Sequence, residues 1–137
     1  MPLSKKNALL IEMQYLPAIA SIMLIKQYDR IYIDVKEHYV KGTYRNRCHI
    51  LGPNGLQRLS IPLLKGKHQH SSMDKVIISY AYNWQKDHWQ SLCSAYRRSP
   101  YFEYYEDLFY PFYHQQFEKL IDFNYGLLKC IFKIFKI

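Results

Sequence analysis

Apolar residues in the first third of the chain form two short strand-like runs with a helical pattern between them. Residues 8–11 are an unbroken apolar run, which predicts a central strand buried on both faces. Pro17 fits the first turn of a helix that ends at about Gln27, with Ile19, Ile22 and Met23 on its apolar face. Residues 30–35 alternate and predict a second strand. A strand, a helix and a strand over about thirty residues match a right-handed βαβ unit with parallel strands.

A turn signal, Gly52-Pro53-Asn54-Gly55, separates two further strand-like runs. Before the turn, strand alternation places Arg45, Arg47 and His49 on one face. After it, Leu59, Ile61 and Leu63 share a face. Two such runs joined by Gly, Pro and Asn predict a β-hairpin. Because a guanidinium group is costly to bury unpaired, we expect the two arginines to meet acids, water or an anionic ligand.

The second half is helical by pattern, after a short strand predicted at residues 75–80. Asn83 suits the N-cap of a helix over residues 84–98. Residues 101–108 predict a short helix interrupted before Pro111, and a helical stripe containing Asn124 then runs from about residue 112 to residue 135. We therefore predict an α/β fold: a small mixed sheet with an N-terminal βαβ unit and a β-hairpin, covered by C-terminal α-helices.

The length of 137 residues predicts one domain, over residues 1–137. Residues 129–137 are apolar and basic and contain no Gly, Asn or Pro to cap a helix. We expect a C-terminal continuation that packs against this strip. The alternative is a strip that lies on a membrane or on a partner.

The formal net charge of +8 favours anionic partners, with a merely solvated surface as the alternative. No nucleic-acid partner is expected, since the basic residues are scattered and form no RNA-binding motif. The three cysteines form no CxxC motif and predict reduced thiols in a cytoplasmic protein, with peripheral membrane contact left open. We predict no cofactor and no metal site, because His68 and His70 have no third ligand nearby and fit a surface loop better.

Acids, amides and arginines are expected at one rim of the sheet, since parallel strands carry ligands beyond their carboxyl ends. Glu12, Gln14, Asp34, Glu37 and His38 follow the two predicted strands, close to the arginine run. Such a rim binds a carboxylate or phosphate beside a general base. The alternative is an ion-pair network that ties the strand ends together.

Three other features allow two interpretations each. His88 is either a packed, hydrogen-bonded histidine beside Trp84 or a catalytic base. Asn124 is either a structural tie or a ligand contact. The tyrosines of residues 101–113 either pack or stack on sugar or base rings.

A series of short motifs runs along the chain: Tyr15-Leu16-Pro17, Tyr44-Arg45-Asn46-Arg47 with Gly52-Pro53-Asn54-Gly55, Leu59-Ser60-Ile61-Pro62, Asn83-Trp84 with His88, Ala95-Tyr96, Pro100-Tyr101-Phe102 with Tyr105, and Asn124. In these motifs and their order the chain resembles the WbqC-like family of bacterial proteins. Glu12-Met13 departs from the Gln-Pro that is commoner in the family. The resemblance implies a transferase that adds an amino-acyl (glycyl) or acyl group to a sugar or glycan precursor in surface-polysaccharide (O-antigen) synthesis. It supplies no established catalytic residues.

The predicted site combines the residues at the rim of the sheet with His88 and Asn124. Arg45 and Arg47 hold an anionic group of an activated-sugar substrate, and His88 or Glu12 is the base. The other predicted substrate-binding residues are Gln14, Tyr15, Tyr44, Asn46, Asn83, Trp84 and Asn124. Two rival functions remain: a non-catalytic module that binds a nucleotide sugar or another anionic ligand, and an RNA- or membrane-surface-binding protein.

Overall fold

A computed structural model describes residues 6–37, 39–40, 43–64, 72–99 and 102–137. The elements follow in the order β1 (Lys6–Glu12), α1 (Ile19–Ile25), β2 (Tyr28–Asp34), β3 (Arg47–Gly52), β4 (Gly55–Ser60), a 3₁₀ turn (Met73–Lys75), α2 (Trp84–Tyr96), α3 (Phe102–His114) and α4 (Leu120–Phe135). The predicted α/β class, with a βαβ start, a hairpin and C-terminal helices, is confirmed. The one small mixed sheet of the prediction is instead two separate two-stranded sheets across the described residues, β1–β2 parallel and β3–β4 antiparallel, because no ladder joins the two pairs.

Strands β1 and β2 pair in parallel, with Leu9 opposite Ile31 and Glu12 opposite Asp34. The prediction that the first strand is buried on both faces is wrong, because Leu10 is 67% exposed while Leu9 packs against the core. Leu10 and its partner across the sheet, Tyr32, are both exposed, so the unbroken apolar run forms a strand that is buried on one face only.

Helix α1 begins at Ile19, two residues after Pro17, and is shorter than predicted. Its buried residues are Ile22 and Ile25, whereas Met23 is 54% exposed. Ile22 and Ile25 are three residues apart and share a face, whereas Met23 lies about 100° around the helix from Ile22 and faces solvent.

The hairpin is confirmed: β3 and β4 are antiparallel, and Gly52 faces Gly55 across the turn. Gly55 has φ of 109°, a left-handed conformation that favours glycine. Cys48 and Ile50 point into the core. The prediction that Arg45 lies on this strand is wrong, because β3 begins at Arg47 and Arg45 belongs to the preceding turn.

The prediction of a strand at residues 75–80 is also wrong. This segment contains the end of the 3₁₀ turn and two isolated bridges, Leu63 with Ile78 and Ile77 with Lys119. It runs between two other extended segments and pairs with each for a single residue, which is too short for a ladder.

The boundaries of α3 and α4 differ from the predicted ones. Pro111 lies inside α3, one turn before its end, so the missing N–H removes only one backbone bond. Tyr113 is buried and Phe112 packs against the core, which stabilises the turn after the proline. The last helix therefore starts at Leu120 rather than near residue 112. Residue 101, the first of the predicted short helix, lies outside the described residues, as does residue 100 before it.

Helix α4 is the centre of the core. Leu120, Phe123, Leu127 and Leu128 are almost fully buried along one stripe. Gly126 faces the ring of Phe112, and a Cβ at this position would overlap that ring. The absence of a side chain at Gly126 thus lets α3 approach α4 closely.

Candidate functional site

The predicted rim holds a compact ion-pair cluster. The Arg45 side chain lies between two carboxylates, with Nη2 2.9 Å from Glu12 Oε2 and Nε 2.9 Å from Glu37 Oε1. Gln14 Nε2 donates to Glu12 Oε1 at 3.2 Å. Burial acts to lower the pKa of the Arg45 guanidinium, but its hydrogen bond to Glu37 and the charges of both carboxylates outweigh burial, so the pKa is raised. Arg45 is thus already neutralised by protein acids, as the ion-pair alternative describes.

The segment around Arg45 is fixed by three consecutive backbone carbonyls. The carbonyl of Tyr44 accepts from the backbone N–H of Tyr15 at 3.0 Å. The carbonyl of Arg45 accepts from Asn124 Nδ2 at 2.8 Å, and that of Asn46 accepts from the backbone N–H of Ile61 at 2.7 Å. Asn124 is 1% exposed, and its amide joins α4 to this turn. The Nδ2 contact of Asn124 is therefore a structural tie, whereas its Oδ1 is buried without a hydrogen-bond partner among the described residues, so the ligand contact stays a prediction.

The remaining predicted contacts are dispersed. Asn83 Oδ1 accepts from the Lys86 backbone N–H as the N-cap of α2, and Trp84 is fully buried with Nε1 donating to the carbonyl of Ser79. Tyr44 is exposed, with its ring edge against His49. Arg47 is half-buried. Asp34 accepts from the backbone N–H groups of Lys36 and Glu37 in a turn at the end of β2, and His38, His68 and His70 lie outside the described residues.

His88 ends a buried chain of three side chains. Its Nε2 lies 3.0 Å from the carbonyl of Ser60 and its Nδ1 2.9 Å from the Tyr15 hydroxyl, which lies 2.8 Å from the Tyr113 hydroxyl. A carbonyl only accepts, so Nε2 carries the proton and Nδ1 of the neutral ring is the acceptor. Tyr15 therefore donates to His88 and Tyr113 donates to Tyr15. One arrangement of protons satisfies all three bonds.

Burial sets the charge states along this chain. It lowers the pKa of His88 from 6.5 to about 4, which keeps the imidazole neutral at pH 7. Burial, and then the neighbouring Tyr113, raise the pKa of Tyr15 well above its usual value. Burial also raises the pKa of Tyr113, and that of the Cys48 thiol to about 12. The three hydrogen-bonded side chains are therefore uncharged at neutral pH. Cys48 is a neutral thiol and not a thiolate nucleophile.

The hydroxyl end of this chain belongs to the wall of a cavity of about 440 Å³, here called the hairpin cavity. It lies between β3, α2 and α3. Helix α3 contributes Phe102, Tyr105, Glu106, Phe109 and Tyr113 at the three-to-four-residue spacing of one helix face. Helix α2 contributes Trp89, Leu92 and Tyr96. Aromatic rings surround a few polar groups, the usual composition of a small-molecule site of about 300–1,000 Å³.

Leu16 lines the same cavity with strained backbone, since its φ is 44°, in the left-handed region. It lies between Tyr15, whose side chain is fixed at the buried chain, and Pro17, whose ring restricts the preceding residue. Such strain costs about 1 kcal/mol or more and is maintained by the surrounding structure.

Sequence reasoning missed the cavity residues Glu106 and Phe109, whereas Tyr105 and Tyr113 belong to the tyrosines for which stacking on a ligand is one of the two interpretations. The signal was present: aromatic residues 102, 105, 109 and 113 recur on one helix face. The interruption predicted before Pro111 placed Tyr113 on a different helix and hid this pattern.

In the part of the chain that the structure describes, no three His, Cys, Asp or Glu side chains come together to hold a metal ion. Nor does any helix there combine the length and hydrophobicity that crossing a membrane requires. All three cysteines are free thiols.

The fold and the cavity define a small α/β protein with one candidate ligand site between a hairpin and two helices. A model of the WbqC-like protein family matches residues 13–137, so the chain belongs to that family. It is 29% identical over 128 residues to the uncharacterized protein Rv1507c of Mycobacterium tuberculosis (strain ATCC 25618 / H37Rv). This match covers 92% of the chain and 54% of the relative, so the chain spans about half the length of that protein. No solved structure gives a significant match.

Proposed function

We propose that the chain binds a small anionic molecule with an apolar or ring-shaped group, of the class of an activated sugar or an acyl donor, in the hairpin cavity. The observation that carries this proposal is the cavity itself, whose volume of about 440 Å³ suits a small ligand and whose mainly apolar walls include the aromatic rings of Trp89, Tyr96, Phe102, Tyr105, Phe109 and Tyr113. Aromatic faces stack on rings of ligands and exclude water from them.

Two exposed arginines support an anionic ligand. Arg97 and Arg98 follow Tyr96, which lines the hairpin cavity, and themselves line a neighbouring depression that shares Trp89 with this cavity. Arg45, by contrast, is saturated by two carboxylates. A phosphate or carboxylate that extends from the cavity into this depression would be bound by guanidinium groups that have bidentate geometry and full charge.

Acyl or amino-acyl transfer to a sugar is the second candidate function, favoured by the position of Tyr113 in both the cavity wall and the buried chain. A sugar hydroxyl that donates a hydrogen bond to the Tyr113 oxygen would transfer its proton to that oxygen. At the same time Tyr113 would pass its own proton to Tyr15, and Tyr15 would pass its own proton to His88 Nδ1. The acceptor oxygen forms a bond to the acyl carbon, and the bond from that carbon to its leaving group breaks with the electron pair going to the leaving group. The proton held on His88 returns along the chain to the leaving group.

The charge states favour binding over catalysis. With a pKa of about 4, His88 holds a proton at pH 7 only at a cost of about 4 kcal/mol. Glu12, the other predicted base, is engaged by Arg45 and Gln14. The free thiols support the predicted cytoplasmic location, and contact with a membrane surface remains a prediction.

Thermal unfolding with a ligand panel tests the binding proposal. The panel contains nucleotide sugars, coenzyme A and acetyl-coenzyme A. A ligand at about 100 times its dissociation constant adds about 2.7 kcal/mol and raises the midpoint by a few degrees. Tyr105→Ala should abolish the rise because Tyr105 lines the cavity, whereas Tyr104→Ala, at a neighbour that does not, should keep it. No rise with any ligand, or equal rises in both variants, would count against the cavity.

Salt dependence tests the anionic group separately. Arg97→Gln/Arg98→Gln should weaken binding of phosphate-bearing ligands and reduce its sensitivity to salt. Arg30→Gln, at an exposed arginine on β2, is the matched control and should behave as the unmodified chain. Unchanged binding in the double variant would show that Arg97 and Arg98 do not bind the anionic group.

A further inference from the structure

A second cavity lies on the other side of the wall formed by Trp89 and Tyr113. Both residues line the hairpin cavity and also this second space of about 710 Å³, between residues 80–83, α2 and the end of α3. Their rings stack with centroids 5.6 Å apart and planes 29° apart. We call the second space the tyrosine–amide groove. The two cavities therefore share one rigid aromatic partition.

The groove differs from the hairpin cavity in chemistry. Its described lining contains side-chain amides and aromatic rings but no carboxylate. The exposed groups are Tyr82, Asn83, Lys86, Gln90, His114 and Gln116. An amide presents a donor and an acceptor side by side, which matches neighbouring hydroxyl groups of a ligand. A flat tyrosine face beside amides accommodates the apolar face of a hydroxyl-rich ring.

Several of these groups are held in place. His114 Nδ1 donates to the carbonyl of Tyr110 at 2.7 Å, because a carbonyl only accepts, and this leaves Nε2 as an acceptor toward a ligand. The His114 ring also stacks on Tyr110 with centroids 3.5 Å apart. Asn83 uses Oδ1 to cap α2, which leaves its Nδ2 hydrogens to donate. Gln85 forms the back wall, with Nε2 donating to the carbonyls of Phe112 and Gln115.

We propose that the tyrosine–amide groove is a second binding site, for a hydroxyl-rich ring such as a sugar unit of a glycan. This site rests on the proposed function in one respect: a ligand in the groove and a ligand in the hairpin cavity would lie on opposite sides of Trp89 and Tyr113. Binding of the sugar unit itself requires only the groove. It depends on stacking against Tyr82 and on hydrogen bonds to the surrounding amides.

Saturation-transfer NMR with unactivated trisaccharides tests this site. The probes are the linear trimers of glucose, galactose and N-acetylglucosamine, at up to about 10 mM, because weak ligands have dissociation constants near 1 mM. We expect one trimer to bind, and Tyr82→Ala to weaken it by about tenfold through loss of stacking. Tyr32→Ala is the matched control, since Tyr32 is 53% exposed and Tyr82 is 54% exposed, and Tyr32 lines neither cavity.

Tyr105→Ala separates the two sites. If the trisaccharide binds in the groove, Tyr105→Ala leaves its affinity unchanged. Loss of trisaccharide binding in Tyr105→Ala but not in Tyr82→Ala would assign the sugar to the hairpin cavity and overturn the proposal. Absence of saturation transfer from every trimer would overturn it as well. Either result leaves the test with nucleotide sugars and acyl donors intact, because that test uses other probes and does not require the groove.

Discussion

Removal of the Tyr15 hydroxyl tests the buried chain through stability. In Tyr15→Phe the ring still fills its place, but His88 Nδ1 loses its donor and the Tyr113 hydroxyl loses its acceptor. Both groups are buried, with His88 4% and Tyr113 3% exposed. A buried polar group left unpaired costs about 1–3 kcal/mol, so we expect a loss of about 4 kcal/mol in the free energy of unfolding.

Tyr113→Phe should cost much less, although it removes a hydroxyl from the same chain. It deletes only the donor to Tyr15, whose own hydroxyl continues to donate to His88. A buried oxygen that keeps one of its two hydrogen-bond partners costs less than a buried group that keeps none. We therefore expect a loss of about 1 kcal/mol in the free energy of unfolding. Tyr104→Phe, at a residue 76% exposed, is the control and should change nothing.

Urea unfolding followed by tryptophan fluorescence measures all three variants. The two tryptophans report locally, since Trp84 lies 5.0 Å from His88 and Trp89 lies 5.6 Å from Tyr113 between ring centroids. The slope of unfolding free energy against urea should stay constant if only stability changes. Equal losses in Tyr15→Phe and Tyr113→Phe, or a larger loss in Tyr113→Phe, would refute the donor directions assigned to the chain.

Histidine protonation, the Arg45 ion pairs and the helix contact at Gly126 give three further tests. Above pH 6.5 His88 is neutral in the folded and the unfolded chain, whereas below it the unfolded chain takes up the proton first because the folded pKa is about 4. Between pH 6.5 and pH 4 the free energy of unfolding should therefore fall by about 3 kcal/mol more in the unmodified protein than in His88→Gln. Urea unfolding at several pH values measures this, and an equal pH dependence in both proteins would contradict it. Arg45→Ala leaves two carboxylates without their partner and should lower the free energy of unfolding by about 2–3 kcal/mol, with Arg45→Lys failing to restore it; a loss within about 0.5 kcal/mol would remove the cluster from the account. Gly126→Ala should lower the thermal midpoint even though Ala favours a helix by about 1 kcal/mol, since the methyl overlaps the Phe112 ring; a raised midpoint would show that the ring moves aside.

Local patterns predicted the paired strands well because their determinants are local. Alternation and the turn residues define the hairpin, and the spacing of two strands around a helix defines the parallel pair. The parallel pairing also places Glu12 and Glu37 at one end, where Arg45 joins them as predicted. Their proposed roles in substrate binding remain predictions.

Burial and long-range contacts set the features that the sequence pattern did not reveal. The exposure of Leu10 depends on what covers the outer face of β1. Pro111 stays in a helix because Tyr113 beyond it is buried, a tertiary effect that overrides a local rule. The bonds of Tyr15 to His88 and to Tyr113 join residues 73 and 98 positions apart, and no periodicity indicates such partners.

Methyl NMR on isoleucine-labelled protein tests the central claim, ligand binding in the hairpin cavity, most directly. Ile50 and Ile131 line this cavity, whereas Ile33 and Ile121 line a separate surface depression and Ile22 is buried elsewhere in the core. In a titration with a nucleotide sugar or acetyl-coenzyme A, the account predicts that the methyl signals of Ile50 and Ile131 shift and saturate together. Shifts confined to Ile33 and Ile121, or no shift in any methyl signal with any member of the panel, would contradict it.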